Sequence, residues 1–409
     1  MRIGLWLFSV CFYMYQYGLY SVVPNVFNED LQRHFCINAA ETGGLIGAFY
    51  IAYTPAQIPV GILIDRFSVR LLITLSFLII SLGAIVFAKT DSYSIAYIAQ
   101  MIIGFGCAFS FTGIIKVSNE VFSREKAAFM SSLSVALGGL SAVAMSPLFA
   151  YLSALSSWDK VVFWFGIVGV VLAIVGFLAT KEEVKTADPK EEIGVIESLK
   201  VILSNKQFIL MGLFSMAILS PFLSFSNAWG ASFIKCIYGI GNVEAASTIS
   251  AMNFGLIFGV PLIVSLAAKF ESYKKVMAYC SYILAALFGF AIFVKTNVFI
   301  LGGALFLIGI VMNCEFLTFP AAISLASPKI AGTLTSVINT IIMAGSATLI
   351  PAIGAVMDLS RSAPQAAYSP DDYKRGMIVL MAFLVFAIIV VQFIKDEYRK
   401  SSEKKTKNS

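Results

Sequence analysis

The chain has 409 residues, of which 59% are hydrophobic and only 13% charged, with a formal charge of +6 and a mean hydropathy of +0.87. Soluble domains carry about 25% charged residues, so a water-soluble enzyme, a nucleic-acid binder and a disordered chain are all excluded. One bilayer crossing takes about 20 apolar residues, and the apolar content suffices for about twelve.

In chain order the apolar stretches predict spans at Leu5–Phe27, Thr42–Ile64, Leu71–Ala88, Ser94–Lys116, Met130–Ala154 and Val161–Ala179. The charged segment Thr180–Lys206 follows. Its second part, Val195 to Leu203, repeats apolar residues at helical spacing and predicts a short helix lying on the membrane surface. Six more spans come next: Gln207–Ser226, Ala245–Ala268, Val276–Phe293, Val298–Pro320, Ala331–Met357 and Met377–Ile394. The expected organisation is a six-helix bundle over 1–179, a linker over 180–206, a second bundle over 207–395 and a polar tail over 396–409. The N-terminal apolar run continues past Phe27 without a small-residue cleavage site, so it reads as a retained first helix.

Lysine and arginine divide 21 to 8 between alternate loops, the larger share falling on the side that holds both termini. The positive-inside rule puts that side in the cytoplasm. The one histidine, His34, and six cysteines without a CxxC exclude a zinc site, and no nucleotide-binding loop occurs, so no metal or cofactor is expected. Cys36 and Cys236 fall in loops on one expected side and are the one pair for which a disulfide comes into question.

The two halves carry matching marks. Ile103-Gly104 and Ser123-Arg124 correspond to Ile308-Gly309 and Pro328-Lys329 at an offset of 205. Pro147 corresponds to Pro351 at 204, and Arg66-Phe67 to Lys269-Phe270 at 203. Duplicated six-helix halves are a mark of transporters built around a midplane site.

Between spans two and three the chain reads Gly61-Ile-Leu63-Ile-Asp65-Arg66-Phe67-Ser-Val-Arg70. This resembles the G-x-L-x-D-R-x-x-x-R signature of the major facilitator superfamily, at the cytoplasmic turn where that family carries it. The resemblance covers essentially the whole chain. It implies an all-α integral membrane fold with twelve transmembrane helices in two pseudo-symmetric six-helix bundles. It also implies a cytoplasmic gate of Gly61, Asp65, Arg66, Arg70 and Glu120. There Gly61 would permit close helix packing, and Asp65 would accept from the N-terminal amides of the eleventh helix near Ala331. Arg66 and Arg70 would pair with acids such as Glu120. The second copy, Val264 to Lys269, lacks the glycine and the aspartate, so the latch is expected on one half only. Gln100 stands where many members carry a proton-coupling arginine, before Gly104-Phe105-Gly106. The fifth span carries only fragments of the drug-antiporter run, Gly138-Gly139 and Ser146-Pro147.

The candidate cavity residues are Tyr13, Gln16, Tyr17, Tyr20, Gln100, Asn313 and Glu315. The first four share one face of the first helix at i, i+3, i+4 and i+7. Tyr15 points elsewhere. Glu315, beside Asn313, is a carboxylate deep in a span, where an unpaired charge costs about 2.5 kcal/mol or more. It is the candidate substrate contact or proton carrier. Lys116 is expected to snorkel to the cytoplasmic surface, or else to bind an anionic substrate or pair with Glu120. Asn25, Asn227, Trp229, Asn253 and Asn339 could contact a ligand, or join helices.

The expected function is secondary transport of a small polar solute by alternating access, with uptake of an amino acid, peptide or organic anion preferred. Export of a metabolite, siderophore or drug is the alternative. A transporter-derived receptor or a membrane-embedded enzyme lacks the residues it would need. The expected partners are the solute, the lipid bilayer and a coupling proton or other ion, with the chain a monomer in a bacterial inner (cell) membrane and both termini cytoplasmic.

Overall fold

The structure is a computed structural model, and it describes residues 2–181, 195–327, 330–361, 367–396 and 398. The described part of the linker ends at Lys181 and resumes at Val195, and the tail beyond Tyr398 lies outside the described residues. The first part of the chain folds as α1 (Arg2–Tyr17), a π-helical turn (Gly18–Val22), α2 (Val23–Val26), α3 (Asn28–Phe35), α4 (Ala39–Arg66), α5 (Val69–Lys89), α6 (Tyr93–Val121), α7 (Arg124–Leu155) and α8 (Trp158–Ala179). The second part folds as α9 (Val195–Ser204), α10 (Lys206–Ser224), a second π turn (Phe225–Trp229), α11 (Gly230–Tyr238), α12 (Asn242–Phe270), α13 (Tyr273–Phe293), α14 (Val298–Val311), a 3-10 turn (Met312–Leu317), α15 (Thr318–Leu325), α16 (Ala331–Ser360) and α17 (Pro370–Phe393).

Among the described residues ten helices are long and apolar enough to cross a membrane. An eleventh is added if Asn28–Phe35 and Ala39–Gln57, bent by 111° at their break, count as one span. The first helix is not among these ten; its α-winding gives way to a π turn after Tyr17, at 16 residues. Its counterpart in the second part is longer than predicted: α10, the π turn and α11 run continuously over Lys206–Tyr238. The predicted linker helix is present as α9, with Ile202 buried and Val201 and Leu203 exposed, packed against α10 and α16.

Residues 2–179 pack mainly as α4 on α6, α5 on α6 and α8, and α1 on α6 and α7. Residues 206–393 pack as α12 on α14, α10 on α16 and α17, and α13 on α17. Between these two groups the main contacts are α4 with α16 and α7 with α12. One close approach occurs twice. A Cβ on Gly104 of α6 would overlap the Phe49 carbonyl of α4, and a Cβ on Gly309 of α14 would overlap the Met252 carbonyl of α12. The glycines are 205 apart and their partners 203 apart, the offsets read from the sequence. Small residues that let backbones touch are the usual basis of helix packing in lipid, where apolar burial gives no drive.

The bundle has two ends. The near end holds Arg2 and the α4–α5 turn, and the far end holds α3 and the α10/α11–α12 connection. All six cysteines are free, Cys36 exposed and Cys236 half-buried, so the Cys36–Cys236 disulfide is not formed.

Candidate functional site

The far end is built around the backbone amides at the start of α4. The first turn of any helix leaves donors without intrahelical partners. Asn38 and Glu41 form a reciprocal capping box: Glu41 N donates to Asn38 Oδ1 at 2.8 Å, and Asn38 N donates to Glu41 Oε2 at 2.9 Å. Ala39 and Ala40 are served from the other part of the chain. Ala39 N donates to Asp358 Oδ1 at 3.2 Å and Ala40 N to Asp358 Oδ2 at 2.8 Å. Asp358 lies in the last turn of α16, so a carboxylate ending one helix caps the positive end of another.

Tyr368 completes the cap. Its hydroxyl donates to Asp358 Oδ1 at 2.6 Å and accepts from Ala39 N at 2.9 Å. The Arg361 guanidinium lies 4.4 Å from the centre of its ring. Burial, and then the hydrogen bond to the Asp358 carboxylate, push the Tyr368 phenol up to about 12.

Other bonds reinforce the same end. Lys235 Nζ meets Glu29 Oε2 at 2.6 Å. Ser21 Oγ donates to Asn227 Oδ1 at 2.8 Å, and Asn227 Nδ2 to the Tyr50 hydroxyl at 3.4 Å. Ala231 N donates to Asn25 Oδ1 at 3.1 Å, and Asn28 Nδ2 to the Ala228 carbonyl at 2.9 Å. Each bond joins residues 2–179 to residues 206–368. Asn25 and Asn227 therefore act as joints between helices. Trp229 is one as well, its indole N–H reaching the Ile350 carbonyl at 3.1 Å.

Below this seal lies a run of aromatic rings. Tyr13 and Tyr17 have centroids 5.5 Å apart, Tyr17 and Tyr20 5.0 Å, and Tyr20 stacks on Phe49 at 5.3 Å. Phe49 touches Tyr50 at 5.0 Å and Tyr53 at 5.4 Å. The predicted tyrosine face is thus joined by Tyr50 and Tyr53 of α4, which sequence reasoning missed. Their i, i+3 spacing on an apolar helix was the available signal. Tyr15 is separate from this run: its hydroxyl donates to the Phe165 carbonyl at 2.9 Å and its ring stacks on Phe165.

Two expected cavity residues are committed elsewhere. Gln16 Oε1 accepts from Ser110 Oγ at 2.7 Å and ties α1 to α6. Asn313 Nδ2 donates to the Gly309 carbonyl at 2.8 Å and to the Leu256 carbonyl at 3.4 Å, bridging to α12 over Gly259. In both cases one end of an amide buried in the bundle takes a neighbouring helix backbone or hydroxyl as partner, while Asn313 Oδ1 is buried without one. Gln100 is buried. Glu315 is 2% exposed and its Oε2 has no hydrogen-bond partner. Its backbone carbonyl accepts from Thr318 Oγ1 at 2.6 Å and Ser215 Oγ at 3.3 Å.

At the near end Arg70 does not reach Glu120. Its guanidinium donates to the Phe177 carbonyl and lies 3.9 Å from the centre of the Phe177 ring, on its own side of the bundle. Lys116 donates to the Ile64 carbonyl and stands 4.0 Å from Glu120. The side chains of Asp65 and Arg66 lie outside the described residues. Among the described residues nothing comes within 4 Å of a Cβ built on Gly61 of α4 or on Gly332 of α16.

The family model described as Major Facilitator Superfamily matches residues 5–350. The probable galactarate/D-glucarate transporter GudP of Bacillus subtilis (strain 168) is 27% identical over 180 residues, 42% of this chain and 40% of that protein. The chain thus matches less than half the length of that relative. A bacterial homologue of the human lysosomal transporter Spinster, in an inward-facing and unoccupied conformation, superimposes with a TM-score of 0.75 at 16% identity, covering 95% of this chain and 96% of that one. A mutant of the nucleoside transporter NupG gives a TM-score of 0.75 at 15% identity, covering 96% and 98%.

Proposed function

The chain belongs to the Major Facilitator Superfamily, and from that premise we propose that it is a secondary transporter carrying a small polar solute across a membrane by alternating access. The observation that carries this reading is the one-sided seal. Asp358, Tyr368, Lys235 and Asn227 of one part close on the start of α4, Glu29 and Ser21 of the other. At the opposite end, nothing among the described residues lies within 4 Å of a Cβ built on Gly61 or Gly332 of the same two long helices.

With the cation-rich side placed in the cytoplasm, the closed end faces outward and the chain is in an inward-open state. Twelve spans in twin bundles are supported by the repeated Gly104–Phe49 and Gly309–Met252 contacts and by a π turn in the first long helix of each half. The gate residues Asp65 and Arg66 serve the alternate, outward-open state. There Asp65 at the end of α4 would cap the start of α16, the reverse of the cap that Asp358 at the end of α16 gives to α4. The energy comes from a solute or ion gradient, and a single chain in a cell membrane suffices for the cycle.

The test uses a variant in which the six native cysteines are replaced and Thr54, on the central part of α4, becomes the one thiol. An impermeant maleimide is expected to modify Thr54→Cys from the near side only, and from both sides once Asp358→Asn is added. Modification of the single-thiol protein from the far side alone would refute the reading.

A further inference from the structure

We infer that the site takes a small solute bearing a protonated amine and no net negative charge, with the Glu315 carboxylate as the counter-charge of the amine. This rests on the transporter reading above and narrows its substrate.

The argument begins with the charges within the membrane-crossing helices. Every Lys, Arg, Asp and Glu of these helices lies within five residues of a helix end, except Glu315, which sits ten residues before the end of the Val298–Leu325 stretch. The two deepest cations by this count are Lys116, committed to the Ile64 carbonyl and facing Glu120, and Arg375, exposed near the start of α17. The middle layer therefore holds one acid and no base.

A carboxylate solute entering that layer would meet no counter-charge and one group able to repel it. Two like charges a few ångströms apart repel far more strongly in such surroundings than in water. An ammonium has the opposite fate. Glu315 is buried with Oε2 unpartnered, and a buried carboxylate without a partner is unfavourable until a cation or a proton joins it.

The first half offers what suits the rest of such a solute. The faces of Tyr13, Tyr17, Tyr20 and Tyr53 attract cations through their π-electrons, and their hydroxyls can donate to a hydroxyl or carboxylate at the other end of a zwitterion. Gln57 Nε2 and Thr54 Oγ1 on α4 are also buried without partners and add donors to that side. GudP is named for dicarboxylate sugar acids. By this charge distribution the present chain differs from it in substrate.

The experiment measures the thermal stability of the purified full-length protein with the twenty common amino acids and putrescine, the 2-hydroxy acid matching each amino acid, and galactarate. At least one amine is expected to raise Tm by about 2 °C at about ten times its Kd, while its hydroxy counterpart and galactarate do not. Glu315→Gln is expected to weaken that amine about tenfold or more with an unchanged ligand-free Tm. If the variant does not fold, the amine–hydroxyl comparison in the native sequence decides alone. Equal stabilisation by a 2-hydroxy acid or by galactarate, no stabilisation by any amine, or undiminished amine binding by Glu315→Gln would each overturn the inference. Uptake of a 2-hydroxy acid driven by a pH gradient would do so too, making Glu315 a proton site. The Thr54→Cys modification needs no ligand, so the transporter reading stands or falls separately.

Discussion

Asp358 is the residue on which the far-end seal turns. It accepts two backbone N–H bonds and one phenol, and hydrogen bonds to a charged group contribute about 1.5–3 kcal/mol each when both partners are kept from water. Asp358→Asn keeps the shape but replaces one acceptor oxygen with a donor that faces an amide. It is expected to shift the resting population toward the outward-open form by about tenfold or more, as read by inter-spin distances across the far end. Tyr368→Phe removes one neutral donor and should shift it less, by about threefold to tenfold.

The pH dependence has a definite sign. The Tyr368 phenol is raised from its ordinary value of about 10 to about 12, so its contribution is complete below the ordinary value and is lost only as pH rises through about 12. The seal should therefore not respond to Tyr368 between about pH 6 and pH 9. A Tyr368-dependent change in the distances inside that window would contradict the assignment. None of this was legible in the sequence. Asp358, Arg361 and Tyr368 sit around a loop between two apolar runs, and only the fold brings Asp358 and Tyr368 back across 319 and 329 residues to Ala39. Glu315 was legible because an acid alone in an apolar span stands out. Gln16 and Asn313 stood out for the same reason, yet both serve neighbouring helices. Their partners are a serine on another helix and backbone carbonyls, which no pattern in one chain reveals.

At the level of the helices, the close pairing of α4 with α16 rests on small residues. A Cβ on Gly43 would stand 2.6 Å from Pro351 Cα, and one on Gly354 would overlap the Ala39 carbonyl. A larger side chain there forces the two helices apart or costs about 1–3 kcal/mol of strain. Gly43→Val should therefore leave the protein folded, prevent the far end from closing and abolish uptake in proteoliposomes. Retention of uptake would show that α4 and α16 need not touch in the cycle. Most helices match the predicted spans to within a few residues, because long uniform apolar runs carry their own signal. The misses have physical causes. Asn28–Phe35 is a short polar helix whose only buried anchors are Asn28, Leu31 and Phe35, too few for a pattern. Lys206–Tyr238 outruns the predicted end at Ser226 because Asn227 and Ser232 find their partners inside the bundle, so polar residues there do not mark a boundary.

For the molecule as a whole, the observed cap of Asp358 on α4 and the proposed cap of Asp65 on α16 make opposite predictions for the two aspartates. If Asp65 closes the near end as Asp358 closes the far end, Asp65→Asn should favour the inward-open form and Asp358→Asn the outward-open form. The double variant should return the distances toward those of the native protein while turning over more slowly. Shifts in the same direction from both single variants would rule out the reciprocal arrangement. The motif around Asp65 was legible because the family repeats it; its counterpart at the other end has no sequence signature, since any carboxylate at the right height on α16 can do the same work. A π turn interrupts the first helix of each part, at Gly18–Val22 and at Phe225–Trp229. Such a turn takes in one residue more than regular winding needs. Everything beyond it, Asn25 in one case and Ala231 in the other, is swung by about 100° relative to an unbroken helix. Removing a single amino acid from either turn would rewind it and point Asn25 and Ala231 past each other, so the chain tolerates substitutions in these turns more readily than a change in their length.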